Sequence, residues 1–111
     1  MAPKLILADL DGTLLDEKKH LPPRSRAALG RAAASGAQVV IATGRFFGGV
    51  PDFLKELPFL RYFILMNGAK VYDRETDTVL YRAEIPLDTA QAVYRLLEGL
   101  GCTCLLYTSP S

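Results

Sequence analysis

The sequence has no long apolar run: nothing in its 111 residues approaches the roughly 20 consecutive apolar side chains that cross a bilayer. It also lacks a charged start followed by an extended apolar region, because Met1–Lys4 leads straight into a short strand-like run. A cytoplasmic protein with no membrane partner is expected. Neither sign of charge dominates, with 13 basic against 12 acidic side chains, so bulk electrostatics recruits neither nucleic acid nor a lipid surface. Cysteine is scarce. Cys102 and Cys104 alternate on an extended segment, cannot alone supply four zinc ligands, and read as reduced thiols of a cytosolic chain. The one histidine, His20, sits beside Lys18 and Lys19 in a polar loop and reads as solvated rather than catalytic, as do Asp16 and Glu17. No Gly-x-Gly-x-x-Gly or Walker-type loop is present, and nothing repeats.

What is present is a globular composition, half hydrophobic and 23% charged, long enough for one modest core. Lys4-Leu5-Ile6-Leu7-Ala8 reads as a strand buried on both faces that stops at Asp9. A polar loop over 10–21, with room for a small hairpin, precedes Pro22-Pro23, which suits a helix start. That helix carries Ala27, Ala28, Leu29, Ala32 and Ala33, small enough to lie close to a sheet, and Gly36 stops it. Ala37 to Ala42 is the next strand, which makes a βαβ unit and implies parallel pairing. Phe46, Val50, Phe53, Leu54 and Leu57 then recur at helical spacing. Either this helix begins at Phe46 and kinks near Pro51, or it starts at Pro51. Phe46, Phe47, Phe53 and Phe59 read as core rather than as a ligand platform. A third buried strand over 62–66 ends at Asn67-Gly68, and two short runs, 70–72 and 79–82, flank a turn at 73–77. Asp88, with Gln91 three residues on, caps a last helix whose apolar face is Val93, Leu96, Leu97 and Leu100, and Gly99 and Gly101 end it.

The chemistry lies in Asp9-Leu10-Asp11-Gly12-Thr13. Two carboxylates one residue apart on an extended backbone project to the same side and can share a cation. Such a pair suits phosphoryl transfer, in which one carboxylate attacks phosphorus while a divalent cation offsets the repulsion of two anions. The other handles protons, which requires a pKa above about 3.9; a neighbouring carboxylate and a bound phosphate would push it upward. Gly12 lets backbone approach a phosphate, and Thr13 and Thr43 offer hydroxyls. The competing reading is a plain turn. Against it, Asp9, Thr43 and Asn67 each stand at the carboxyl end of an expected strand, where ligands of open α/β sheets bind. Arg45 either lines the pocket or is an ion-paired surface group, and Asn67 either lines it or serves the turn. A calcium hand is excluded, because glycine falls at the fourth loop position and His20 at the twelfth.

These segments resemble a known family. Leu5 to Leu15 looks like the first signature of the haloacid dehalogenase superfamily and Ile41-Ala42-Thr43-Gly44-Arg45 like its second, while Leu65 to Asp73 is similar to a stretch of the Cof-type (IIB) branch. The resemblance covers about residues 4 to 103. It implies an α/β fold with a Rossmann-like parallel sheet: an incomplete core over 1–78 carrying both signatures, then the beginning of an inserted α/β cap over 79–103. It further implies Asp9 as nucleophile forming an aspartyl-phosphate, and Asp11 as acid/base and, through its carbonyl oxygen, metal ligand. Mg2+ would be held by Asp9 and Asp11 and phosphate by Thr43, with Gly12 and Thr13 supporting the loop; beside the resemblance, Gly44, Arg45 and Asn67 stand as further candidates for phosphate and substrate binding. The lysine of the third signature and the acidic pair of the fourth have no counterpart here, and 104–111 resembles translated adapter sequence. A truncated gene product, weak or inactive alone, is therefore expected. The implied activity is Mg-dependent hydrolysis of phosphate monoesters of small metabolites, such as sugar or cofactor phosphates. A phosphomutase and a non-catalytic phospho-ligand-binding fragment stand as alternatives.

Overall fold

The short apolar runs assemble into one sheet. In the computed structural model, which describes residues 4–101, the strands are β1 (Leu5–Asp9), β2 (Gln38–Ala42), β3 (Leu60–Leu65), β4 (Lys70–Asp73) and β5 (Thr78–Arg82), lying in that order. The first three are parallel, with Asp9 level with Ala42 and Ala42 level with Ile64. Helical crossovers make them so: α1 (Pro23–Ala34) joins β1 to β2, and α2 (Asp52–Lys55) lies between β2 and β3. β3–β4 and β4–β5 are antiparallel hairpin pairings. The fold is thus the expected Rossmann-like α/β sheet, with two antiparallel strands added at one side. Both cysteines and the 104–111 tail lie outside the described residues.

Phe63, Leu10, Ile41, Leu54, Leu60, Leu65, Val39 and Val50 are the largest fully buried side chains, each worth roughly 1.5–3 kcal/mol on burial. They come from β2, β3, α2 and the loops leaving β1 and β2, so the core runs from the start of β3 to the loops at the carboxyl ends of the parallel strands. Leu29 and Ala33 bring α1 against it.

Four expectations need correction. β1 is not buried on both faces: Leu5 and Leu7 are 56% and 57% exposed, because β1 is the outermost strand and only Ile6 and Ala8 pack on the core. The Phe46–Leu57 stripe is not one helix. Phe47–Gly49 form a single 3-10 turn, and the four-residue α2 begins after Pro51, nearer the second of the two alternatives. The aromatic series divides: Phe47 and Phe59 pack on the core, whereas Phe46 and Phe53 are exposed. The last helix, α3 (Leu87–Gly99), starts one residue before Asp88, behind Pro86, and has no side-chain cap. The Asp88 carboxylate instead accepts from the Thr89 amide at 2.8 Å. α3 buries no residue. The division at 78/79 falls within β5, which is hydrogen-bonded to β4. Among the described residues no helix is long and apolar enough to cross a membrane.

Candidate active site

At Asp9 the chain leaves β1 through a wide turn, Leu10–Leu14, closed by the Leu15 amide donating to the Leu10 carbonyl at 2.9 Å. Buried Leu10 anchors the turn in the core. Gly12 carries φ +78° within it, a conformation that glycine adopts without the penalty of a Cβ. Asp9 and Asp11 both keep extended backbone. Thr13 Oγ1 lies 3.5 Å from Asp9 Oδ2, a long hydrogen bond.

The ends of β2 and β3 are laced together. The Thr43 amide donates to the Ile64 carbonyl at 2.9 Å, the Asn67 amide to the Thr43 carbonyl at 3.1 Å, and the Met66 amide to the Arg45 carbonyl at 3.1 Å. Thr43 is buried, and its hydroxyl oxygen accepts from the Arg45 amide at 3.1 Å, which leaves the hydroxyl proton available to donate. These loops and β1 enclose an open depression of about 380 Å3 lined by Asp9, Thr43, Gly44, Asn67 and Gly68, with Ala42 and Ile64 beneath. It lies at the carboxyl ends of the parallel strands, where the expected site falls.

Asp11 is not among the residues lining this depression. Its carboxylate is gripped by Arg45, Nε to Oδ2 at 2.9 Å and Nη2 to Oδ1 at 2.7 Å, and by Lys19, Nζ to Oδ1 at 3.1 Å. Arg45 is itself steadied by Nη1 donating to the Gly49 carbonyl at 2.7 Å. Hydrogen bonds from Arg45 first and Lys19 second lower the Asp11 pKa to about 2. This direction is opposite to the rise anticipated for an acid/base group. That expectation counted Asp9 as the nearest charge, whereas folding brings in Arg45 from 34 residues away. Lys19, from the polar loop, joins the same cluster. It is aimed there by the Asp16 turn, in which the Asp16 carboxylate accepts from the Lys18 and His20 amides and Lys19 takes φ +64°. An aspartate in a polar loop is the sequence signal for such a turn, but not for where the lysine tip goes. Gly68 and the Gly49 carbonyl carried no signal. A second open groove of about 460 Å3, between His20, Leu21, Arg26, Phe53, Glu56 and Leu57, shares none of these groups.

Magnesium takes oxygen donors, commonly one or two carboxylates completed by water and substrate phosphate. The exposed Asp9 carboxylate and the Asp11 carbonyl fit in kind. Among the described residues no group of three or more acidic, histidine or cysteine side chains stands together, so these two donors alone do not make a closed cation cage.

Fold and site together define an α/β protein with a polar constellation at the carboxyl edge of its parallel strands. The chain belongs to the haloacid dehalogenase-like hydrolase family, whose profile matches residues 6–111. It is 38% identical over 107 residues to the pyridoxal phosphate phosphatase YbhA of Escherichia coli (strain K12), covering 96% of this chain and 39% of that protein. A haloacid dehalogenase-like hydrolase from B. subtilis superposes with a TM-score of 0.79 at 33% identity, covering 88% of this chain and 34% of that one. The subclass IIB sugar phosphatase BT4131 gives 0.78 at 31% identity, covering 88% and 38%. The chain therefore spans between about a third and two-fifths of the length of these relatives. The family and branch implied by the two signatures and the Cof-type stretch are those found.

Proposed function

We propose that this protein hydrolyses phosphate monoesters of small metabolites with Asp9 as the nucleophile. The observation that carries the reading is the grouping of the exposed Asp9 carboxylate with buried Thr43 and exposed Asn67 around one depression. In the first step an Asp9 oxygen attacks phosphorus in line and the ester oxygen departs as the alcohol, taking a proton that the ionised Asp11 carboxylate has accepted from the phosphate monoanion of the substrate. In the second step water attacks the aspartyl-phosphate, gives a proton to Asp11, which passes it to solvent, and releases inorganic phosphate with Asp9 restored. Thr43 donates its hydroxyl proton to a phosphate oxygen, and Gly12 and Gly44 let backbone approach it. Thr13 steadies Asp9. Arg45 and Lys19 hold the Asp11 carboxylate in the ionised form that takes a proton from water. Magnesium, bound by Asp9 and the Asp11 carbonyl, would supply neutralisation of charge between nucleophile and phosphoryl group.

The relatives named for pyridoxal phosphate and for sugar phosphates support small phosphorylated metabolites as the substrate class. We also read α3 as the beginning of the inserted cap, with β5 still part of the core sheet. The test is turnover of an aryl phosphate with Mg2+ by the protein and by Asp9→Asn. We expect a loss of at least about a thousandfold in kcat, and undiminished turnover would remove Asp9 from the role.

A further inference from the structure

Three consecutive residues after β3, Met66, Asn67 and Gly68, take φ of +53°, +56° and +100°. Only glycine does so freely; asparagine tolerates it, and an unbranched bulky residue such as methionine does so against its preference. The turn is nevertheless over-determined. The Met66 and Asn67 amides bond to the Arg45 and Thr43 carbonyls, the Ala69 amide closes on the Met66 carbonyl at 3.2 Å, and the Ala69 carbonyl is held by the Ala83 amide at 2.7 Å. Strain kept in place by its surroundings is a marker of function when a functional group rides on it.

The group that rides on it is the Asn67 side-chain amide. Its oxygen lies where a Cβ on Gly44 would come within 2.9 Å, so it packs over the Gly44 backbone at the wall of the depression that Asp9 and Thr43 also line. Among the described residues this amide makes no hydrogen bond. Both cations near the mouth, Arg45 and Lys19, are committed to Asp11, so the donors left facing the depression are neutral.

We propose that Asn67 is a substrate-binding residue whose side-chain amide donates to a phosphoryl oxygen, opposite the Thr43 hydroxyl. This rests on the reading of the depression as the phosphate site. A neutral donor to a charged oxygen makes one of the stronger hydrogen bonds available to a protein, without adding a cation that would compete with the metal beside Asp9. The bland alternative is that asparagine is there because the backbone is left-handed, and the two readings separate on one substitution. Asn67→Gly removes the amide yet suits the backbone better than asparagine does.

The experiment titrates inorganic phosphate into the 111-residue chain and follows the amide resonances of Gly12, Thr43 and Gly44. For Asn67→Gly we expect the melting midpoint to hold or rise while half-saturation moves about tenfold higher. Asn67→Asp, which keeps shape and backbone tolerance but points negative charge at the anion, should abolish saturation. Equal half-saturation in Asn67→Gly and the unmodified chain, or saturation preserved in Asn67→Asp, overturns the assignment of Asn67 and leaves the phosphate site standing. If phosphate moves none of the three resonances in the unmodified chain, the reading of the depression itself falls, and this inference falls with it.

Discussion

Gly44 and Asn67 share one small volume, and the identity of each depends on the other. Gly44 does not need glycine's backbone freedom, since its φ lies outside the left-handed range, but a Cβ there would stand 2.9 Å from Asn67 Oδ1 and 3.4 Å from Nδ2. The backbone of Asn67 is pinned to Thr43, so the amide tip is what gives way. Gly44→Ala should therefore leave the fold nearly unchanged, with the melting midpoint within about 4 °C, yet weaken phosphate binding about as much as Asn67→Gly. Because both act through the same amide, the double variant should lose no more than either single one. A double-mutant cycle on half-saturation measures this, and additive losses would show that Gly44 acts independently of Asn67. Asp11 illustrates the converse, a residue whose chemistry is set by distant partners. Its neighbours in sequence are leucine and glycine, but its charge state is governed by Arg45 and Lys19.

Among the elements, the β4–β5 hairpin rests on Asp73, whose side chain is almost fully enclosed. The carboxylate receives Arg61 Nε at 3.0 Å and Nη2 at 2.8 Å, and the Glu75 and Thr76 amides of the turn. Arg61, as the largest influence, holds the Asp73 carboxyl well below the usual carboxylate range. A depressed folded-state pKa contributes stability that is complete above the unfolded value of about 3.9 and is lost as pH falls through the folded value. Asp73→Asn should lower the melting midpoint at pH 7 and flatten the decline of stability below about pH 4. Thermal melts across that range check it, and superimposable curves for the two proteins would exclude the ion pair as the cause. The strands themselves were legible, because apolar runs ending at Asp9, Thr43 and Asn67 mark both the strand and its carboxyl end. The Asp73–Asp77 turn was legible for the same reason. Helix lengths were not: the stripe from Phe46 to Leu57 has helical spacing, but Gly48, Gly49 and Pro51 divide it into a 3-10 turn and one short helix. Nor was the Arg45–Asp11–Lys19 cluster, since a long side chain's partner is a tertiary fact with no local periodicity behind it.

On the scale of the whole molecule, apolar surface is left uncovered at both extremes of the sheet. The described chain measures 51 × 31 × 25 Å with a radius of gyration of 16.6 Å, where a compact domain of 100 residues has about 13 Å. α3 buries no residue, and Leu87 and Leu96 on it and Leu100 just after it are 74%, 65% and 69% exposed. At the other extreme β1 presents Leu5 and Leu7 on an outermost strand that carries no charged or proline residue from Leu5 to Ala8. Natural edge strands are usually guarded by such residues, and an unguarded one pairs with other chains. Contiguous exposed apolar surface acts in the same direction. This chain should therefore self-associate at micromolar concentrations, and sedimentation velocity reads it directly. Leu7→Lys replaces an exposed side chain, so its effect on stability should stay within about 0.5 kcal/mol, while its charge should hold the β1 edges of two copies apart. Leu96→Lys makes the same change on α3. If association is driven by strand pairing, Leu7→Lys returns the chain to monomer and Leu96→Lys does not. The reverse result would assign it to the helix face, and a monomeric unmodified chain would mean that neither surface is sticky enough to matter.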